Sequence, residues 1–140
     1  MEKPFDPNTP ENKEQFKKRI LVVDDDQFIR NFAPLALGKL YEVVTINDGK
    51  ELLDKLNSGE AFDAVLTDQN MLIMNGIDAI EEIRKDPKFD KLPITLWSSL
   101  VDSEIKSRVA KLNNTKYIFK EGRLDVIKKA IEDMLEKTTE

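Results

Sequence analysis

Five short apolar runs alternate with segments of helical period along this chain, and that alternation restricts the possible folds more than any other feature. The runs are residues 20–23, 42–46, 62–67, 94–97 and 117–119. They are too short for helices and mostly lack polar alternation, which is typical of strands buried on both faces of a parallel sheet. We therefore predict an α/β fold built from βαβ units.

The segments between the runs carry apolar residues at helical spacing. Examples are Ile77, Ile80 and Ile83, the pair Ile105 and Val109, and the stripe Ile127, Ala130, Ile131, Met134 and Leu135. These patterns predict five helices that pack on the sheet. Pro34 falls inside the first helical pattern, and we expect it to kink or shorten that helix.

Right-handed crossovers leave few arrangements for five such units. The commonest short doubly wound order is 2-1-3-4-5, so we predict a flavodoxin-like (βα)5 fold with a five-stranded parallel sheet. In this order the first strand lies beside the third, and a crevice opens beyond their carboxyl ends. Open α/β sheets bind ligands in such a crevice.

Composition limits the chemistry available to the chain. Its 140 residues correspond to about one domain, and we predict a flexible tail over residues 1–18 and a folded domain over residues 19–137. The chain has no cysteine and no histidine, which removes disulfides, thiolate chemistry and the commonest general base. A net charge of -5 argues against direct binding of nucleic acid, no apolar run is long enough for a membrane, and we expect a cytoplasmic protein.

Polar residues follow the apolar runs at their carboxyl ends. They are Asp24, Asp25, Asp68, Ser98 and Lys120. Three carboxylates near one another need a compensating cation, and oxygen ligands without histidine or cysteine favour Mg²⁺, with Mn²⁺ able to substitute. The neighbouring Asp26 is more simply explained as the cap of the first helix.

A metal ion beside Asp68 would allow its carboxylate to attack phosphorus and form an aspartyl phosphate. Such a transfer needs charge neutralisation on the phosphoryl oxygens, and Lys120 and Ser98 are placed to supply it. Each of these residues alone has an ordinary structural explanation. The prediction depends on their coincidence at one edge of the sheet.

Four separated motifs resemble the receiver domain of bacterial two-component response regulators, over about residues 19–136. They are ILVVDDD, FDAVLTDQNMLIMNG, LPITLWSS and KYIFKEG. The resemblance implies that Asp68 accepts the phosphoryl group and that Asp25 is a direct metal ligand, whereas Asp24 acts through water. It also implies that the backbone carbonyl of Asn70 contacts the metal.

The same resemblance assigns a switch to the fourth and fifth strands. Ser98 takes the position of the hydroxyl that bonds the phosphoryl group, Lys120 that of the phosphate lysine, and Tyr117 that of the aromatic residue that changes orientation. Family members usually have proline, aspartate and proline where this chain has Leu72, Asn75 and Glu121.

Receiver domains take their phosphoryl group from a histidine kinase or a histidine phosphotransfer protein, and the resemblance implies these partners here. It implies a signalling phosphoacceptor that promotes its own phosphorylation and slow dephosphorylation rather than a conventional enzyme. The downstream partner would read the face formed by the fourth helix, fifth strand and fifth helix. Leu100 and Val101 shield the site, touch a partner or pack on the fourth helix. Trp97 is expected in the core.

Two alternatives stay open at this point. The segment VVDDDQF resembles the Asp-x-Asp signature of haloacid-dehalogenase-type phosphohydrolases, in which Asp24 would be the nucleophile and Asp26 the acid/base. Phe28 then replaces the usual threonine or valine, and no segment could form a cap. The second alternative is an interaction module that uses the receiver fold without phosphorylation.

Overall fold

The computed structural model describes residues 4, 6, 17–120 and 124–138. Its strands are β1 (Arg19–Val23), β2 (Glu42–Ile46), β3 (Ala64–Asp68), β4 (Ile94–Ser98) and β5 (Thr115–Phe119). Its helices are α1 (Gln27–Leu37), α2 (Gly49–Asn57), α3 (Gly76–Arg84), α4 (Ser103–Ala110) and α5 (Leu124–Thr138), with a 3₁₀ turn at Pro87–Phe89. Most of the predicted tail, and Glu121, lie outside the described residues.

The strands form one parallel sheet in the order β2-β1-β3-β4-β5, which confirms the predicted doubly wound topology. Strand β1 lies between β2 and β3, and Val22 is in register with Leu66 of β3. On the other side of β3, Asp68 is in register with Trp97 of β4, and Trp97 with Ile118 of β5. The carboxyl ends of all five strands therefore lie at one edge.

Alternation along the strands divides the core into two clusters, one on each face of the sheet. Leu21, Val23 and Leu96 point to the face covered by α2, α3 and α4, which we call the α2–α4 face. Ile20 and Trp97 point to the face covered by α1 and α5, which we call the α1/α5 face. Both sets are almost wholly excluded from water, as expected for strands without polar alternation.

Side-chain caps fix where four of the helices begin. Asp26, Asp48, Asn75 and Asp102 stand just before α1 to α4, and each accepts a hydrogen bond from a backbone N–H of the first turn. These carboxylates and the amide satisfy donors that have no partner inside the helix. Asp26 accepts from Phe28, which confirms its predicted role.

The observed elements differ from the predicted ones in detail. Strand β3 begins at Ala64 rather than at residue 62, because Asp63 and Arg19 bond each other through backbone and carboxylate groups just before the ladder. Helix α1 continues past Pro34 to Leu37, since Ala33 and Leu37 on either side of the proline are buried against the sheet. Within the described part of the chain, no helix combines the length and apolar character needed to cross a membrane.

Candidate functional site

Three aspartates converge at the carboxyl ends of β1 and β3. Asp24 and Asp25 directly follow β1, and Asp68 is the last residue of β3. Because these strands are neighbours, one carboxylate oxygen from each residue lies within 4.8 Å of the others. Asp24 is 0% exposed and Asp68 is 7% exposed, whereas Asp25 is open to solvent. Solvent therefore reaches the cluster mainly at Asp25.

The carboxylate of Asp24 is held on both oxygens. Its Oδ1 accepts a hydrogen bond from the backbone N–H of Asp26 at 2.9 Å, and its Oδ2 lies 2.8 Å from Lys120 Nζ. Its own N–H continues the ladder to Ile46 of β2 at 3.1 Å. A charge buried this deeply needs such partners. Asp24 is thus oriented by its surroundings before any ligand arrives.

Lys120 connects the acids of two strands. Its Nζ lies 2.8 Å from Asp24 Oδ2 and 3.7 Å from Asp68 Oδ1, and it stands over the ring of Trp97 at 4.6 Å from the centroid. The backbone N–H of Lys120 donates to the carbonyl of Ser98 at 2.7 Å. This bond continues the β4–β5 ladder past Phe119 and so holds the lysine backbone at the sheet edge.

Asp68 has an unusual proton affinity. Burial, and then the negative charge of Asp24, raise the pKa of Asp68 to about 6, while Lys120 and a backbone hydrogen bond from Gln69 act in the opposite direction. Asp25 also raises it. The carboxylate is nevertheless ionised at neutral pH, and a cation bound among the three acids would remove the repulsion. The donor set contains only carboxylates, so it fits a hard metal ion.

The loop between β3 and α3 passes close to Asp68. Gly76 begins α3 so near to Asp68 that a β-carbon at Gly76 would lie 2.3 Å from the Asp68 carbonyl oxygen. The side chain of Gln69 turns inward, and its Oε1 accepts from the N–H of Ile77 at 2.8 Å. These contacts hold both ends of the loop against the sheet.

The tip of this loop contains two of the departures from the family pattern. The N–H of Met74 donates to the carbonyl of Leu72 at 2.7 Å, and the intervening Ile73 adopts a φ of 68°. This region is strained for a β-branched residue. The turn forms without the usual proline, and Asn75 caps α3 through its side chain as an aspartate would. Asn70 is exposed after β3, and its carbonyl stays only a predicted ligand.

The residues of the predicted switch are joined through one loop residue. Ser98 Oγ accepts from the N–H of Leu100 at 3.2 Å, and the hydroxyl of Tyr117 donates to the carbonyl of Leu100 at 2.5 Å. Ser98 is buried and Tyr117 half-buried. The side chains of Leu100 and Val101 are 64% and 72% exposed, so neither is packed away under α4.

The structure brings the predicted site residues together at one edge, in two groups. Strand alternation places Asp24, Asp68 and Lys120 on the α1/α5 face and Ser98 and Tyr117 on the α2–α4 face. Sequence reasoning missed the inward cap made by Gln69 and the close approach at Gly76. It correctly placed Trp97 in the core but missed its contact with Lys120, which only the register of β3, β4 and β5 reveals.

Comparison with known proteins places this arrangement in a family. A family model described as "Response regulator receiver domain" matches residues 20–132. The chain is 30% identical to chemotaxis protein CheY1 of Helicobacter pylori over 119 residues, which cover 84% of the chain and 96% of that protein. It is 32% identical to hybrid signal transduction histidine kinase D of Dictyostelium discoideum over 104 residues, which cover 74% of the chain and 7% of that much longer protein.

Solved structures agree with this assignment. Chemotaxis response regulator CheY4 of Vibrio cholerae superimposes with a TM-score of 0.76 at 27% identity, covering 85% of this chain and 99% of that one. A chain from the crystal structure of histidine kinase ThkA with response regulator protein TrrA gives a TM-score of 0.71 at 30% identity, covering 84% and 98%. The chain belongs to the response regulator receiver domain family.

Proposed function

We propose that this chain accepts a phosphoryl group on Asp68 and responds by changing the surface around α4, β5 and α5. The observation that carries the proposal is the environment of Asp68. Its carboxylate is buried beside Asp24, within 4.8 Å of both other acids and 3.7 Å from Lys120 Nζ. A nucleophile, a place for a cation and a second positive charge therefore meet at one position.

The donor set supports Mg²⁺ as the cation, with Mn²⁺ able to replace it. Asp24, Asp25 and Asp68 would hold it together with the carbonyl of Asn70, and the bound ion would supply charge neutralisation for the incoming phosphoryl oxygens. The exposed Asp25 opens the cluster to solvent, so an ion can enter without rearrangement of β1 or β3.

The transfer uses the chain's own groups in defined roles. A carboxylate oxygen of Asp68 forms the new bond to phosphorus, while the bond from phosphorus to the donor nitrogen breaks and the donor imidazole leaves with a proton from solvent. Lys120 places its ammonium beside the phosphoryl oxygens, and Ser98 can donate its hydroxyl to them. The product is an acyl phosphate on Asp68.

The phosphoryl donor is a histidine kinase or a histidine phosphotransfer protein. The chain itself has no histidine, so a phosphohistidine donor must be a separate molecule or region. Two comparisons support this partner: the similar chain from the complex of ThkA with TrrA, and the hybrid histidine kinase that contains a segment similar to this chain.

Leu100 transmits the structural change from Ser98 to Tyr117 after phosphorylation. A hydroxyl of Ser98 that turns to the phosphoryl group leaves the N–H of Leu100, and this change reaches Tyr117 through the other side of the same loop residue. Helix α4 follows this loop and buries only Val109 completely. A shift of the loop therefore alters the exposed surface of α4 and β5, which a downstream protein can read.

The phosphohydrolase alternative is less well supported by the geometry. Asp24, its proposed nucleophile, is fully buried with both carboxylate oxygens engaged. Asp26, its proposed acid/base, accepts a hydrogen bond from Phe28 as the cap of α1. Asp68 keeps 7% of its surface exposed, and it ends a strand rather than capping a helix.

The direct test is incubation with acetyl phosphate and Mg²⁺, followed by intact-protein mass spectrometry. We expect the protein to gain the mass of one phosphoryl group, and Asp68→Asn to gain none. Asp26→Asn is the matched control, since it removes the same charge two residues from Asp24 while asparagine preserves the helix cap.

The alternatives predict other results. A gain that survives Asp68→Asn but disappears with Asp24→Asn would indicate the phosphohydrolase mechanism. No gain with acetyl phosphate or with a phosphorylated kinase would indicate an interaction module that functions without phosphorylation.

A further inference from the structure

Trp97 forms the surface on which the ammonium group of Lys120 rests. Nζ lies 4.6 Å from the centroid of the indole ring, well inside the distance of about 6 Å at which an aromatic face attracts a cation. The Trp97 side chain is only 1% exposed, and that of Lys120 is 17% exposed. Water therefore screens this attraction little.

Strand register explains why the ring lies at this position. Trp97 is the cross-strand neighbour of Asp68 on one side and of Ile118 on the other, so these three side chains point to the α1/α5 face. Lys120 comes two residues after Ile118 and points to the same face. The ring thus lies between the strand that carries the acceptor and the strand that leads to the lysine.

The ring of Trp97 is packed in the hydrophobic core. It belongs to the buried cluster of the α1/α5 face, together with Ile127 and Ile131 of α5. Its indole N–H has no hydrogen-bond partner among the described residues, although buried donors are normally paired. A phenylalanine would avoid this unpaired donor, but its smaller ring attracts a cation less strongly. The contact of the indole with the ammonium offers a physical reason for the tryptophan.

The ion pair with Asp24 alone does not direct the lysine toward the acceptor. Nζ is 2.8 Å from Asp24 but 3.7 Å from Asp68, so the ammonium is closer to the carboxylate that does not react. An aromatic face attracts a cation at any position within about 6 Å of the ring centroid. The ammonium can therefore slide across it from Asp24 toward a phosphoryl group on Asp68 while it stays in contact with the ring.

We propose that Trp97 is a positioning residue for phosphoryl transfer, and that its indole face keeps the Lys120 ammonium within reach of the phosphoryl group on Asp68. This inference rests on the proposed function of Asp68. It concerns the electron density of the ring, and not only its volume in the core.

The test uses the fact that Trp97 is the single tryptophan of the chain. Biosynthetic incorporation of mono-, di- and trifluorotryptophan withdraws electron density from this ring alone and changes its shape little. We expect the rate of phosphorylation by acetyl phosphate to fall stepwise with each fluorine, by about three- to ten-fold over the series. The Mg²⁺ affinity measured by calorimetry should stay constant, because the three carboxylates are unchanged. The melting temperature should fall by no more than about 4 °C, because only one cation–π contact is weakened.

Lys120→Ala supplies the coupling control. If the ring acts through the ammonium, fluorination should have no effect on the residual rate of this variant. Equal rates across the fluorinated series in the unsubstituted protein would overturn the inference, and so would a fluorine effect that persists in Lys120→Ala. If the unfluorinated protein gains no phosphoryl group at all, the proposed function of Asp68 is itself wrong. This result differs from the two that would overturn only the role of Trp97.

Discussion

The two sides of the sheet edge at the candidate site are built differently. On the α1/α5 face, Asp24, Asp68 and Lys120, with Asp25 close beside them, form an acid–lysine cluster in which oppositely charged groups hold one another at short distances. On the α2–α4 face, Ser98, Leu100 and Tyr117 form a switch cluster held by two hydrogen bonds between neutral groups. The first arrangement suits chemistry that needs fixed charges, and the second suits a response that needs movement.

Helix α4, next to the switch cluster, is also less buried than the strands that carry the acids. It buries only Val109 completely, and its Arg108 pairs with Asp78 and Glu81 of α3 at the surface. Strands β1 and β3, which lead to the three acids, are buried on both faces. Surface ion pairs contribute little to stability, typically up to about 1 kcal/mol each. Movement of the switch side therefore costs less free energy than movement of the acids.

The largest effect is expected from removal of the lysine. Lys120→Ala should slow phosphorylation by acetyl phosphate by about 100-fold or more, because one preorganised positive charge beside the phosphoryl oxygens is lost. Mg²⁺ should still bind, since the three carboxylates remain. Rates come from intact mass against time, and affinity from calorimetry.

The matched control is Lys116→Ala, which removes a lysine from the opposite end of β5. Its phosphorylation rate should stay within about two-fold of the unsubstituted rate. Equal slowing by both substitutions would mean that the positive charge of Lys120 has no specific role beside Asp68.

The second effect is a pH dependence of metal binding. Because the pKa of Asp68 is raised to about 6, a proton must leave this carboxylate when a cation binds below that pH. The apparent Mg²⁺ affinity should be nearly constant above pH 7 and fall by up to about ten-fold per pH unit below pH 6. Calorimetric titrations from pH 5 to pH 8 measure this slope. A flat profile would contradict the buried, repelled state of Asp68.

The third effect is on stability without metal. The pKa of Asp68 is raised from 3.8 to about 6 in the folded chain, so ionisation between these values favours unfolding, and stability falls as the pH rises through this range. Asp68→Asn removes this cost. At pH 7 in the presence of a chelator it should raise the free energy of unfolding by about 2 to 3 kcal/mol, and at pH 4 by much less. Urea unfolding at both pH values tests this.

Asp26→Asn is again the control, and it should change the free energy of unfolding by less than about 0.5 kcal/mol, because asparagine also caps helices well. Equal stability of Asp68→Asn and the unsubstituted protein at pH 7 would show that burial and repulsion by Asp24 do not destabilise the ionised carboxylate of Asp68.

The smallest effect is expected on the switch side. Tyr117→Phe removes one hydrogen bond to Leu100, which should cost about 0.5 to 1.5 kcal/mol of stability. The phosphorylation rate should stay within about two-fold, while exchange of the backbone amides around Leu100 becomes faster. Tyr41→Phe, remote from this loop, should leave that exchange unchanged. A large loss of phosphorylation rate in Tyr117→Phe would show that the switch cluster also takes part in phosphoryl transfer. The division of roles between the two clusters would then be wrong.

Much of this architecture could be predicted from the sequence because it depends on local patterns. The short apolar runs, the helical stripes and the cap at Asp26 are properties of neighbouring residues, and the strand order then places Asp24 beside Asp68. The predicted start of β3 was wrong because hydrogen bonds between Asp63 and Arg19 precede the ladder, and α1 continues past Pro34 because Ala33 and Leu37 are buried against the sheet.

The finer contacts of the site depend on residues that are distant in sequence. Lys120 and Asp24 are 96 positions apart, and neither residue type predicts whether the lysine turns to an acid or to solvent. The stacking of Lys120 on Trp97 and the junction at Leu100 likewise depend on rotamers that only the packed structure defines. Such contacts cannot be read from periodicity.

The identity of the phosphorylated residue distinguishes Asp68 from the two acids beside it. After reaction with acetyl phosphate and Mg²⁺, borohydride reduces an aspartyl phosphate to homoserine, and peptide sequencing by mass spectrometry locates it. We expect homoserine at position 68 and none at positions 24 or 25. Homoserine at position 24, or none anywhere in a protein that binds Mg²⁺, would show that Asp68 is not the phosphoacceptor.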